Sequence, residues 1–126
     1  MAIYGVGAYY DTDVSEDFIN QNLVGVGWSA TEAPELQEYF KSLKVGDIVY
    51  IKAAPIGQDI YVKGIGVIED NSIVSNPLVT TGRKVKWIDT SKFTISRPKE
   101  KNNVRSNTIY EEFHPDVLKE IIKRIN

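Results

Sequence analysis

Apolar positions along the chain fall into two kinds of pattern: short alternating or continuous runs with the period of a strand, and two longer stretches with the period of a helix. Ile3, Tyr4, Val6 and Tyr9, spaced among glycines, predict a first strand over Ala2 to Tyr10. Asp13-Val-Ser-Glu16 has the spacing of a capping box and predicts a short helix through Asn20 or Asn22. Leu23 to Trp28 returns to extended structure. Ser29 or Thr31 is then placed to cap a second helix, which tolerates Pro34 in its first turn. Leu36, Tyr39, Phe40 and Leu43 fall at i, i+3, i+4 and i+7, one apolar face, so this helix should cover an opening or flank of a sheet.

Gly46-Asp47 reads as the turn that launches a buried strand from Ile48 to Ala53. A Pro- and Gly-containing loop interrupts it, and Ile60 to Glu69 returns as an adjacent antiparallel strand. Gly64 and Gly66 share one face of that strand, where bare backbone marks a bend, a bulge or the close approach of another group. Asp70-Asn-Ser reads as a turn, Val85 to Ile88 and Phe93 to Ile95 as the remaining strands, and Pro98 to Asn103 as a polar loop. His114-Pro115 opens the last helix, with Phe113 placed to staple onto Leu118. Leu118, Ile121, Ile122 and Ile125 form its expected buried stripe. The elements add up to a single α+β domain over residues 1–126, a small mixed β-barrel flanked by helices.

Composition sharpens this picture in three places. A chain of 126 residues can bury one core without staples, and 42% apolar with 25% charged residues is ordinary globular usage. The absence of cysteine excludes disulfides, thiolate metal sites and a cysteine nucleophile. No charged-then-apolar leader opens the chain and no apolar run approaches the roughly 18 residues that span a bilayer, so the expectation is a cytoplasmic protein without a membrane partner.

The net charge of -2 conceals an uneven distribution. Met1 to Gly82 holds four basic and eleven acidic residues, whereas Arg83 to Arg105 holds eight basic and two acidic. A basic stretch on an acidic protein creates a local field that attracts polyanions, and Lys84 and Lys86 are its candidate phosphate contacts. The alternative is that these cations solvate exposed strand edges and discourage edge-to-edge pairing.

Catalytic chemistry has little support in the residues. His114, the single histidine, sits at a helix start beside proline, where capping accounts for it. No G-x-S-x-G nucleophile motif or P-loop is present, and Gly5-Val-Gly7 and Gly25-Val-Gly27 do not extend to a dinucleotide fingerprint. Asp11, Asp13 and Glu16 match no calcium loop. No cofactor or metal is expected, and a binding module is favoured over an enzyme.

What remains is an aromatic and polar constellation suited to a flat, partly polar ligand. Trp28 stands between a strand and a helix, where its ring can wall a pocket while Ser29 and the first helical amides offer donors. A core position is the competing reading of the same tryptophan. Arg105 and Asn107, just beyond the polar loop, are placed to close over a bound base or nucleotide. Lys84, Lys86 or Arg105 would then neutralise phosphate.

Trp28, an intervening helix, Leu43-Lys-Val-Gly46-Asp47-Ile-Val-Tyr-Ile-Lys52, the strand Ile65-Gly66-Val67-Ile68 and Val85-Lys-Trp87 together resemble the PUA-like superfamily, in particular its EVE, ASCH and YTH-related branch. The similarity runs from about Gly25 to Ile88. It implies a small β-barrel flanked by helices and binding of RNA or DNA, in some members through a flipped, modified base held in an aromatic pocket near Trp28 and Ser29. The Asn-rich segment that follows the corresponding tryptophan in typical EVE domains is absent here. Three function classes follow: a nucleic-acid-binding module, a binder of a free nucleotide or other small molecule, and a protein-interaction module without nucleic acid.

Overall fold

A computed structural model of the protein describes residues 2–10, 12–28, 31–53, 58–99, 105 and 107–126. In chain order the elements are β1 (Ile3–Gly7), β2 (Tyr9–Tyr10), β3 (Thr12–Asp13), α1 (Ser15–Gln21), β4 (Leu23–Val26), α2 (Pro34–Ser42), β5 (Ile48–Ala53), β6 (Ile60–Val74), β7 (Thr81–Asp89), β8 (Phe93–Ile95), β9 (Ile109–Glu111) and α3 (Pro115–Ile125). Seven strands form one mixed sheet in the order β4-β7-β6-β5-β1-β9, with β8 paired to β6, and β2 and β3 form a separate two-stranded ribbon. Strands β5, β6 and β7 make an antiparallel meander. The β1–β5 pair is parallel, Ile3 facing Ile48, which requires the long crossover through α1, β4 and α2.

The continuous apolar run of β5 reflects burial on both sides of this sheet. Ile48 and Tyr50 face α3 and pack with Ile3, Ile65, Tyr110, Val117 and Ile121. Val49 and Ile51 alternate to the other side, where Phe18 of α1, Phe40 of α2, Val24, Val26 and Val85 complete a second core. Two cores on opposite faces of one sheet define the α+β class. Pairing among the described residues leaves β4 and β9 at the two ends of the strand order, so the sheet is not closed.

The expected antiparallel pairing of β5 and β6 is present, from Ile48 opposite Val67 to Ala53 opposite Tyr61. Asp70-Asn-Ser, in contrast, does not end the strand. The Asp70 carboxylate accepts the Ser72 amide at 2.9 Å, as an Asx turn would, but the register shift between Ile68 and Ile73 absorbs it as a bulge and β6 continues to Val74. Strand β7 accordingly begins at Thr81 rather than Val85, pairing Thr81 to Lys84 with β4. Asp13 does not cap α1: Val14 holds the N-cap position, while the Asp13 carboxylate takes the Ser15 amide at 2.9 Å and the Lys63 ammonium at 2.5 Å. Burial alone would raise the Asp13 carboxyl, but the Lys63 and Ser15 hydrogen bonds outweigh it and hold the group at about 2.

Gly64 and Gly66 serve a close approach. The Trp87 ring lies across both, and a Cβ on Gly66 would come 2.9 Å from the Trp87 ring and from the Lys86 carbonyl oxygen. In α3 the His114 side chain caps the helix by accepting the Asp116 amide at 3.2 Å, as expected. The buried stripe is rotated from the expected one, because Val117 and Ile121 are fully buried whereas Ile122 is 39% exposed. Ile121→Ala is expected to destabilise the domain by about 2–5 kcal/mol and Ile122→Ala by less than about 1 kcal/mol, read from urea denaturation midpoints. Equal losses would place the helix on the wrong face.

Candidate functional site

The end of β4 is an exposed aromatic on an immobilised backbone. Gly27 rests on the Tyr10 ring, where a Cβ would come within 3.0 Å, and the Tyr10 hydroxyl donates to the Gly25 carbonyl at 3.3 Å. The Tyr10 ring also meets Phe18 edge-on at 6.1 Å between centroids. Burial pushes the Tyr10 hydroxyl up to about 12, which keeps it protonated and a donor. On the other side, the buried Gln37 of α2 donates through Nε2 to the Trp28 carbonyl at 2.7 Å and to Thr80 Oγ1 at 3.1 Å. Thr81 donates its hydroxyl to Gln37 Oε1, which sets the amide's orientation. Thr80 Oγ1 lies 2.9 Å from the Val26 carbonyl and also reaches that of Trp28. The main chain from residue 25 to 28 is therefore held by side chains from β2, α2 and Thr80, just before β7, while Trp28 is 53% exposed.

The other expected site residues occupy different surroundings. Ser29 lies outside the described residues. Lys84 and Lys86 are exposed on β7, on the face opposite to Val85 and Trp87, as strand alternation requires. Val26 is opposite Thr81 in the register, so Lys84 lies three residues along β7, about 10 Å, and Lys86 five residues, about 17 Å. Lys84 is also 4.0 Å from the Asp70 carboxylate. Arg83, at the head of the basic stretch, points inward and is buried against the end of α2.

Arg105 belongs to a cluster on the α3 face of the sheet. It is 4% exposed, and its guanidinium grips Glu112 through Nε at 3.0 Å and Nη2 at 2.7 Å. Glu112 also accepts the Tyr50 hydroxyl at 2.7 Å and the His114 amide at 3.0 Å, and Tyr50 and Tyr110 share a hydrogen bond at 2.8 Å. The positive charge of Arg105 is thus matched inside the protein, and a phosphate would have to compete with Glu112 for it. Burial by itself would lower the Arg105 guanidinium, but its bonds to Glu112 outweigh that and raise it. Asn107 is exposed and offers its backbone carbonyl to Lys52 at 2.9 Å.

Among the described residues no group of three or more His, Cys, Asp or Glu is placed to hold a metal ion. No helix among them is long and apolar enough to cross a membrane. Sequence periodicity pointed to Trp28 but not to the groups that hold it. Gln37 carried the available signal: it falls between Leu36 and Phe40 on the inward face of α2, a polar residue inside an apolar stripe. No protein-family model matches the chain, and no curated protein is similar to it in sequence.

Breaking the Arg105–Glu112 pair with Arg105→Leu is expected to cost about 3–5 kcal/mol, because it leaves a buried carboxylate without its cation. A urea titration gives the value, and a loss under about 1 kcal/mol would show the pair to be dispensable. The tyrosines set a second expectation. Burial raises the hydroxyls of Tyr50, Tyr110 and Tyr10 above the ordinary value of 10.0, so the folded state keeps protons that the unfolded chain releases. Their contribution is complete below about pH 10 and is lost as pH rises further. Urea midpoints should fall above that pH, and less steeply in Tyr50→Phe; an unchanged slope would remove Tyr50 from the linkage.

Proposed function

We propose that the protein is a non-catalytic binding module that recognises a nucleobase within a nucleic acid, stacking it on Trp28 and meeting the backbone phosphates with Lys84 and Lys86. The observation that carries this reading is the half-exposed indole on a backbone fixed by Gln37, Thr80 and the Tyr10 ring. Large aromatic rings on a folded protein are mostly buried, and an exposed one on a pre-ordered seat spends little entropy when a flat ligand stacks on it. A modified base is one form the ligand could take. The mixed sheet with helices on both faces supports the α+β class of this reading, and a PUA-like relationship and a cytoplasmic location belong to the proposal.

A free nucleotide or other small molecule is the alternative occupant, and the strand register supports the nucleic-acid reading over it. Lys84 and Lys86 stand about 10 and 17 Å along β7 from the residue opposite Val26, and Trp28 follows Val26 by two residues in the opposite direction, so both lie beyond easy reach of a mononucleotide stacked there. A protein-interaction role would use the same exposed ring without phosphate.

Base–aromatic stacking is worth about 1–3 kcal/mol, so Trp28→Ala should weaken binding of a short single-stranded oligonucleotide by about 5- to 150-fold with little change in melting temperature. Replacing Lys84 and Lys86 together with alanine should reduce the slope of log affinity against log salt by about 1.4 for a single strand. Fluorescence titration over a salt series measures both. A folded Trp28→Ala protein that binds as the parent does would overturn the base-stacking role. An unchanged slope in the double lysine variant would move the reading toward a free small molecule.

A further inference from the structure

The contact that seats Trp28 also presents a second ring. Tyr9 and Tyr10 form β2, opposite Asp13 and Thr12 of β3, and the Val14 amide closes this ribbon on the Ala8 carbonyl at 2.9 Å. Side chains alternate across a strand, so with the Tyr10 ring turned onto Gly27 the Tyr9 ring is turned away from it, and Tyr9 is 72% exposed. Tyr10 ties the ribbon to β4 through its ring on Gly27 and its hydroxyl on the Gly25 carbonyl, and to α1 through its edge-on contact with Phe18. None of these contacts uses the Tyr9 side chain, so its backbone is ordered while its ring is left to solvent.

Tyr9 and Trp28 flank a single contact, each one residue away from it: Tyr10 on one segment and Gly27 on the other. With a Cβ on Gly27 3.0 Å from the Tyr10 ring and Cα steps of about 3.8 Å, the Cα atoms of Tyr9 and Trp28 lie within about 17 Å of each other. The carboxylate opposite Tyr9, that of Asp13, is held by Lys63 at 2.5 Å, and Glu16 of α1 is paired with Lys92 at 2.8 Å. A phosphate passing the ribbon therefore meets matched pairs at both positions rather than bare anions. One ring serves one base, and two exposed rings at this separation are more than a mononucleotide uses.

Resting on the reading of Trp28 as a base-stacking ring, we propose that Tyr9 is a second stacking platform and that the ligand is a single-stranded segment presenting at least two unstacked bases. In a duplex the faces of each base are taken by its neighbours, and flipping one base out frees faces for one ring only. A single strand offers the faces of several bases along one flexible backbone. Both rings stand on held backbone, so stacking on them orders little besides the ligand itself.

The test measures binding of a labelled oligodeoxythymidine of about eight nucleotides and of a blunt hairpin duplex by fluorescence anisotropy, and of thymidine monophosphate by quenching of tryptophan fluorescence. The full chain is compared with Tyr9→Ala, Tyr9→Phe, Trp28→Ala and Phe113→Ala, each checked for an unchanged melting temperature. The parent should bind the single strand more tightly than the duplex. Tyr9→Ala should weaken the single strand about 5- to 150-fold, the range of one lost stacking contact, and leave the mononucleotide within about twofold. Tyr9→Phe keeps the ring and should bind as the parent does. An unchanged single-strand affinity in Tyr9→Ala overturns the second platform, as does tighter binding of the duplex or a matching loss in Phe113→Ala, whose residue is as exposed at 73%. An equal loss of the mononucleotide also overturns it, because Tyr9 would then be a support of the Trp28 seat. If Trp28→Ala binds the single strand as the parent does, or the parent binds no oligonucleotide, the base-stacking reading itself fails and this inference falls with it.

Discussion

The burial of one guanidinium organises the side of the molecule that carries Trp28. Arg83 is 1% exposed and meets no carboxylate directly among the described residues; its Nη1 donates to the carbonyls of Phe40 and Leu43 and its Nη2 to that of Asp70 at 2.8 Å. These acceptors are carbonyls at the end of α2, of which that of Phe40 also takes the Leu43 amide, and a carbonyl at the β6 bulge, so one side chain of β7 joins the helix terminus to the irregular part of the neighbouring strand. A cation at a helix C-terminus also meets the negative end of the macrodipole, worth up to about 2 kcal/mol in partly buried geometry. Burial pulls the Arg83 guanidinium down from its ordinary value, with the charges of Asp70 and Asp47 opposing it. Its Nε has no partner among the described residues, so the contact trades some desolvation for position. With α2 held at its C-terminal end, Gln37 near its start is placed to grip the Trp28 carbonyl.

The two faces of the sheet solve different problems. On the α1 and α2 face, apolar packing and a few side-chain-to-backbone bonds hold an exposed ring. There Trp87 fills the space that Gly64 and Gly66 leave bare, with its indole N–H buried and without a partner among the described residues. On the α3 face a chain of polar groups, Tyr50, Tyr110, Glu112 and Arg105, is buried inside an otherwise apolar cluster. Each member answers another's hydrogen-bonding demand, which is the condition under which such a network is tolerated. Lys52 stands at its margin, with the carbonyls of Arg105 and Asn107 and the Tyr110 ring around its amine.

Much of the architecture was legible because it follows local rules. The β5–β6 hairpin, the position of α2 after Pro34 and the cap of α3 by His114 each rest on residues within a few positions of one another. The errors occurred where a long-range partner decided the outcome. Asp70-Asn-Ser has turn chemistry, but pairing with β7 carries the strand through it. Asp13 and Glu16 have capping-box spacing, yet Lys63 and Lys92 take their carboxylates. Ile122 has the right period for the buried stripe and falls at its edge, because the crossing of α3 over the sheet turns Val117 and Ile121 inward.

The candidate site divides in the same way. Sequence alone determined that an aromatic ring would stand between a strand and a helix, that no cysteine chemistry is possible and that a run of cations follows Gly82, since these depend on residue type and order. Tertiary structure decided what each of those residues is for. It turned Arg83 and Arg105 inward, where main-chain carbonyls and Glu112 take up most of their donors, and left Lys84 and Lys86 outside by strand alternation. It also supplied Tyr10, Gln37 and Thr80 around residues 25 to 28 from three distant parts of the chain. Charge and hydrophobicity are properties of a residue, but exposure and partnership are properties of a packing, and only the folded sheet with its two covered faces assigns them.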